Sequence, residues 1–166
     1  MARPFVHLHL HTAFSVLDGF SQIGPLCRRA AELEMPALAI TDHGVMYGVI
    51  DFYNGCRKEG VKPILGVETY MALEKHTRRN PEDKKSYHLV LLARNATGYS
   101  NLVRLVTRAH LDGFYYKPRI DRELLAEHHE GLIALSACGG GEPPQRILQR
   151  ALQGAREAAA WYRDLM

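Results

Sequence analysis

Three histidines alternate with apolar residues in the run Phe5-Val6-His7-Leu8-His9-Leu10-His11. Successive side chains of an extended segment point to opposite faces, so the spacing predicts His7, His9 and His11 on one face and Val6, Leu8 and Leu10 on the other. A single imidazole on an apolar element is ordinarily a satisfied core residue. Several side by side are costly to bury unless a cation holds them, so the chemistry predicted is metal binding. Further donors follow: Asp42 and His43 in the turn Thr41-Asp42-His43-Gly44, Glu68, and Cys138. Asp18 precedes Gly19 and reads first as a turn residue, although it could reach the same donors. His88 opens an apolar run, and its spacing alone suggests a core or strand-edge histidine.

Imidazoles mixed with carboxylates suit Zn²⁺, Mn²⁺ or Fe²⁺ better than Mg²⁺ or Ca²⁺, which prefer shells of oxygen alone. There are more donors than one tetrahedral ion uses. The pattern therefore predicts two or three divalent ions sharing a bridging carboxylate or thiolate. Such clusters clamp a phosphate and bring a water pKa toward neutrality, which points to phosphoester hydrolysis. Nucleophilic alternatives are weak: Ser15 and Ser136 lack a G-x-S-x-G setting, and Cys138 has no partner pattern beyond the histidines. Cys27 falls on an apolar helical stripe and reads as core packing. Gly139-Gly140-Gly141 is read first as a flexible turn and second as a phosphate cradle, since no Walker lysine follows. Lys75, Arg78, Arg79, Lys84 and Lys85 are interspersed with Glu74, Glu82 and Asp83, which suggests a solvated loop. Tyr115, Tyr116, Lys117 and Arg119 could contact nucleic acid or simply anchor a loop.

The elements expected to position these donors alternate. A strand over 5–11 precedes a helix capped at Ser21 and stopped by Pro36. A short strand at 37–40 leads into the Thr41–Gly44 turn and a helix over 47–59 ending at Gly60. A third strand spans 61–71 with an interruption near Gly66, and 73–86 reads as an exposed, mobile loop. A buried strand at 88–92, a helix capped by Ser100, an aromatic-basic loop at 113–119 and a short helix from Asp121 come next. A strand at 132–136 and a final helix from about Pro144 complete the chain. Apolar strands alternating with helices predict an α/β fold with a parallel sheet, either a barrel or an open doubly wound sheet. In such folds functional residues gather at the carboxyl ends of the strands, where His9, His11, Asp42, His43, Glu68 and Cys138 would meet.

With 166 residues and 46% hydrophobic content the chain can bury one core. Its net charge of +3 is compatible with a phosphate-bearing partner without demanding one. Neither a signal-peptide pattern nor an apolar stretch of about 20 residues is present, so a cytoplasmic protein with no membrane partner is expected. Three scattered cysteines predict reduced thiols.

His9-Leu10-His11-Thr12, Thr41-Asp42-His43-Gly44, Gly66-Val67-Glu68 and Ser136-Ala137-Cys138 together resemble the ordered motifs of the polymerase and histidinol phosphatase (PHP) family. Residues 5–19, 36–71, 88–106 and 131–142 resemble most the branch attached to bacterial replicative DNA polymerases. The resemblance implies an incomplete, distorted seven-stranded β/α barrel of TIM-like type, with 1–166 forming a PHP domain that lacks the C-terminal part of the barrel. It implies a trinuclear centre of Zn, Mn or Fe with metal ligands at His9, His11, Asp18, His43, Glu68, His88 and Cys138, of which His9, His11, His43 and Glu68 are the catalytic set. His7 is not carried over as a ligand, and Asp42 becomes a partner of the ligands. The family's closing Asp-x-His pair would lie beyond Met166, and the turn around Gly139 and Pro143-Pro144 departs from the family pattern. The implied parent is a DNA-directed DNA polymerase, a nucleotidyltransferase whose PHP site acts as a 3′–5′ exonuclease-type phosphoesterase in DNA replication. Its implied partners are DNA, a proofreading exonuclease and other replisome subunits. The alternatives are a metal-binding scaffold for a proofreading subunit without catalysis, and a stand-alone histidinol-phosphatase-like enzyme.

Overall fold

The computed structural model describes residues 5–166. In chain order its elements are α1 (Ile23–Glu32), β1 (Ala37–Ile40), α2 (Val49–Lys58), β2 (Lys62–Ala72), a 3₁₀ turn (Pro81–Lys84), β3 (Ser86–Ala93), α3 (Ala96–Leu111), β4 (Phe114–Tyr115), β5 (Lys117–Ile120), α4 (Arg122–Glu127), β6 (Leu132–Leu135), α5 (Glu142–Leu148) and α6 (Leu152–Leu165). Two helices thus stand where one was expected near the C-terminus. Ser21 does not cap α1, because it is engaged in a bridge with Thr12. The cap of α3 is Asn95, whose side chain accepts the Gly98 N–H at 2.9 Å, and not Ser100.

The sheet is mixed, in the order β4-β5-β2-β3-β6 with β1 also on β2. β1 and β5 pair parallel with β2, whereas β3 runs antiparallel to both β2 and β6. The expected parallel sheet fails at β3 for a simple reason: no crossover α-helix lies between β2 and β3, so the chain returns as a long hairpin. Among the described residues the sheet is open and six-stranded, not a closed seven-stranded barrel. Residues 5–11 form no regular strand. Their backbone meets β1 only where Ala39 and Thr41 donate to the carbonyls of His7 and Leu10, both at 2.9 Å. The Thr41 hydroxyl takes the Leu10 N–H at 2.7 Å, replacing the backbone carbonyl that would continue a ladder.

Register decides which face each side chain serves. Pairing of Glu68 with Val90 and of Tyr70 with His88 puts these four side chains on one face of the sheet. Val67, Met71, Leu89 and Leu91 occupy the other face, packed with Leu102 and Leu105 of α3 and with Leu125 of α4. Each such buried side chain contributes roughly 1.5–3 kcal/mol. Leu38 and Ile40 pack beneath α1 and α2 against Cys27, Phe52 and Cys56. β2 runs unbroken through Gly66, where a Cβ would come within 2.6 Å of the Leu91 carbonyl; glycine is needed there for close strand approach, not for an interruption. The segment 73–85 is not the free loop expected. The buried Arg119 donates to the carbonyls of Gly113, Asp83, His76 and Arg78 at 2.6–3.1 Å, and Asp121 accepts from the His76 N–H and ring. Arg119 is therefore a structural clamp and not a nucleic-acid contact.

Candidate metal centre

Beyond Ile40 the chain continues alongside β2. Glu68 N–H donates to the Asp42 carbonyl at 3.0 Å and Gly44 N–H donates to the Glu68 carbonyl at 2.9 Å, which sets His43 beside Glu68. The same pairing that puts Glu68 and Tyr70 on the uncovered face delivers His88 from the start of β3. Because β3 is reversed, its first residues lie with the carboxyl ends of β1 and β2. His9 and His11 arrive from the irregular segment that precedes α1.

All of these side chains converge on one carboxylate. Glu68 is 1% exposed, and its Oε2 lies 3.0 Å from His11 Nε2, 3.0 Å from His43 Nδ1 and 3.2 Å from His9 Nε2. Its Oε1 lies 2.7 Å from His88 Nδ1. Asp18 Oδ2 meets the second ring nitrogen of His43 at 3.0 Å, and Cys138 Sγ stands 3.8 Å from His88 Nδ1. The seven expected ligands thus form one contiguous group, with Asp18 and Cys138 at its exposed margins. His7 takes no part; its ring packs edge-on against Phe5.

These residues fit divalent ions. His9 Nε2, His43 Nδ1 and Glu68 Oε2 are buried polar atoms without a properly directed hydrogen bond, although Glu68 Oε2 lies 3.2 Å from His9 Nε2 and 3.0 Å from His43 Nδ1. Buried polar atoms left without hydrogen bonds are costly, and lone pairs aimed at a common point are what a cation needs. Two overlapping triplets have suitable ligand atoms close together: His9, His11 and Glu68, and His43, Glu68 and His88. Glu68 belongs to both, as a bridging carboxylate would.

A layer of hydrogen bonds behind the donors fixes their orientation. Asp42, buried and not aimed at the cluster, accepts from the Thr12 N–H at 2.6 Å and from the hydroxyls of Thr12 and Ser15 at 2.7 Å each. Ser15 Oγ accepts the His43 N–H at 3.1 Å and lies 3.3 Å from His11 Nδ1. With its own proton given to Asp42, the Ser15 oxygen can only accept from His11. That places a proton on His11 Nδ1 and keeps Nε2, 3.0 Å from Glu68 Oε2, as the atom an ion would take. Sequence reasoning considered Ser15 only as a nucleophile and did not see this role; its one local signal is that it lies four residues after His11. Tyr70 was likewise missed. Its ring stacks parallel to His43, 6.0 Å between centroids, and edge-on to His88 at 5.3 Å.

Burial alone would push the Glu68 carboxyl up, but the imidazoles of His11, His43, His88 and His9 outweigh it and hold the group well below the usual carboxylate range. The close Glu68 carboxylate raises His43 above the ordinary imidazole value against the opposing effect of burial, and the His43 contact lowers Asp18. Burial pushes the Tyr70 phenol up to about 12, assisted by the charges of Glu68 and Asp18, so it keeps its proton at neutral pH.

An α/β sheet that gathers four imidazoles around one buried glutamate, with an aspartate and a thiol at the edge, has the donor set of a protein able to hold metal. The model of the PHP domain matches residues 7–166, and the chain belongs to that family. It is 48% identical over 99% of its length to the DNA polymerase III subunit alpha of Treponema pallidum, and 53% identical over 89% to that of Thermus aquaticus. The chain spans only 14% and 12% of these relatives. Among solved structures, an amidohydrolase from Chromobacterium violaceum matches with 21% identity and a TM-score of 0.47, over 63% of this chain and 32% of that one. Among the described residues no helix is long and apolar enough to cross a membrane.

Proposed function

We propose that the chain is the PHP domain at the N-terminal end of a bacterial replicative DNA polymerase, and that its Glu68 cluster hydrolyses phosphodiester bonds at a DNA 3′ end. The observation that supports this most is the convergence of His9, His11, His43 and His88 on Glu68 with donor atoms left unsatisfied. His9, His11 and Glu68 would hold one ion, and His43, Glu68 and His88 a second, with Asp18 and Cys138 completing the set; Zn, Mn and Fe suit these donors. When bound, such ions supply Lewis acidity at a phosphoryl oxygen.

The chain's own residues do the positioning. Glu68 stays ionised and shared, Ser15 keeps the His11 proton on Nδ1, and Asp42 ties both to the loop that carries Asp18. The complete barrel, the polymerase activity of the parent, the proofreading and replisome partners and a cytoplasmic location belong to the same proposal, which rests on the relatives' identity. The test is release of nucleotides from a 3′-recessed primer by the full polypeptide with Mn²⁺ or Zn²⁺. His9→Ala should abolish the metal-stimulated release while leaving polymerisation intact. Chelation that lowers the melting temperature in a protein with no detectable hydrolysis would instead make the site a structural brace.

A further inference from the structure

The basic residues that looked alike in sequence separate into two groups in space. Lys75 pairs with Glu123, and Arg78 is enclosed by Glu74, Glu82 and Asp83. Lys84, Lys85 and Lys117 join no ion pair among the described residues. All three line one cleft of about 600 Å³, together with Gln145, Gln149 and Gly140, and no carboxylate lines it. The cleft adjoins the Glu68 cluster. Gly140 lies so close to His88 that a Cβ there would meet its ring at 3.3 Å, and the Lys117 ammonium sits 4.4 Å over Tyr70, the ring that stacks on His43. At the outer rim the Lys84 ammonium lies 4.6 Å over Tyr116, which is 63% exposed and packs edge-on against Tyr115.

Resting on the reading above, we propose that this cleft is the track along which a single-stranded DNA end reaches the metal centre, with Lys84, Lys85 and Lys117 on successive phosphates and Tyr116 as a stacking platform. Three uncompensated ammonium groups call for more than one phosphate. Lysines, as rotatable point charges, read a backbone without reading sequence. An exposed aromatic face beside such a track serves unpaired bases, whose π-faces a duplex does not offer. The glutamines add neutral donors without opposing the charge.

The experiment is fluorescence anisotropy of a labelled, phosphorothioate-linked oligo-dT on the metal-loaded full polypeptide, across a salt series. Lys84→Gln with Lys85→Gln and Lys117→Gln should weaken binding about tenfold near 0.1 M salt and reduce the log–log salt slope by about 2, since each single-strand phosphate contact contributes about 0.7. Tyr116→Ala should cost about fivefold or more with the slope unchanged. A charge-matched change away from the cleft, Arg57→Gln and Lys58→Gln at the end of α2 with Lys62→Gln at the start of β2, should do neither. Unaltered affinity and slope in the triple variant would overturn the proposal, as would equal affinity for a duplex of the same length. Metal content measured on the same samples separates the two readings. A track lost with the metal retained concerns the cleft alone, whereas a site that takes no metal fails independently of DNA binding.

Discussion

At the residue scale, the cluster depends on side chains that never meet an ion. Ser15 links Asp42, His43 and His11 in one set of hydrogen bonds, and its loss leaves His11 free to adopt the wrong tautomer or ring orientation. Ser15→Ala should lower metal affinity by about 10- to 100-fold while costing only about 1 kcal/mol of stability, as read by competitive metal titration and urea unfolding of the same sample. An unchanged metal affinity would reduce Ser15 to a loop fastener. His9, His11, His43 and Glu68 were legible in the sequence as candidate donors, because histidines at alternate positions and a carboxylate late in an apolar strand are conspicuous, whereas Asp18 read first as a turn residue. Ser15 was not legible: a hydroxyl four residues from a histidine is commonplace, and only the fold brings Asp42 across to it. His7 shows the converse, with the right type and spacing and no partner at the site.

At the level of elements, β3 is the instructive one. Its apolar run reads the same in either direction, so spacing alone left His88 outside the site, and the family resemblance restored it. Only the reversed strand explains why the first residue of such a run lies at the rim where the other strands end. The turn-rich stretch before β3 was misread for a related reason. Its polar, charged composition says nothing about a buried arginine forty residues downstream that binds its carbonyls. Arg119→Leu should leave those carbonyls unsatisfied, destabilise the chain by about 3 kcal/mol or more, and open 73–85 to limited proteolysis well before global unfolding. Resistance equal to the unaltered protein would contradict the clamp.

The C-terminal helices hang on a second polar knot: Glu142 of α5 accepts from Arg146, from Arg122 at the start of α4 and from the Tyr162 hydroxyl of α6. Burial works to raise this carboxyl, but Arg146, Arg122 and Tyr162 prevail and hold it below the usual range. A depressed carboxylate stabilises the fold above its ordinary titration range, and that contribution disappears as pH falls through the depressed value. The urea midpoint should therefore fall as the pH drops below about 5, and Glu142→Gln should flatten that fall while lowering the midpoint at pH 7. A variant with the parent's pH profile would remove Glu142 from the account.

For the molecule as a whole, the sheet has one face under helices and another that carries the metal donors at one end and an apolar groove, lined by Leu8, Ile64, Leu92 and Ile133, at the other. The α/β class, the gathering of donors at one rim and an open or incomplete sheet were predictable from alternating elements and the family resemblance, whereas the mixed strand order was not, since strand direction is set by connections and pairing. Everything functional rests on Glu68 serving as a shared ligand. The most direct test is elemental analysis of the purified chain after loading with Zn²⁺ or Mn²⁺ and removal of free ion, beside Glu68→Gln. About two to three equivalents in the parent, falling to about one or fewer in the variant, is the result expected of a bridged cluster. A parent that retains no divalent ion, or a variant that retains as much as the parent, would contradict it.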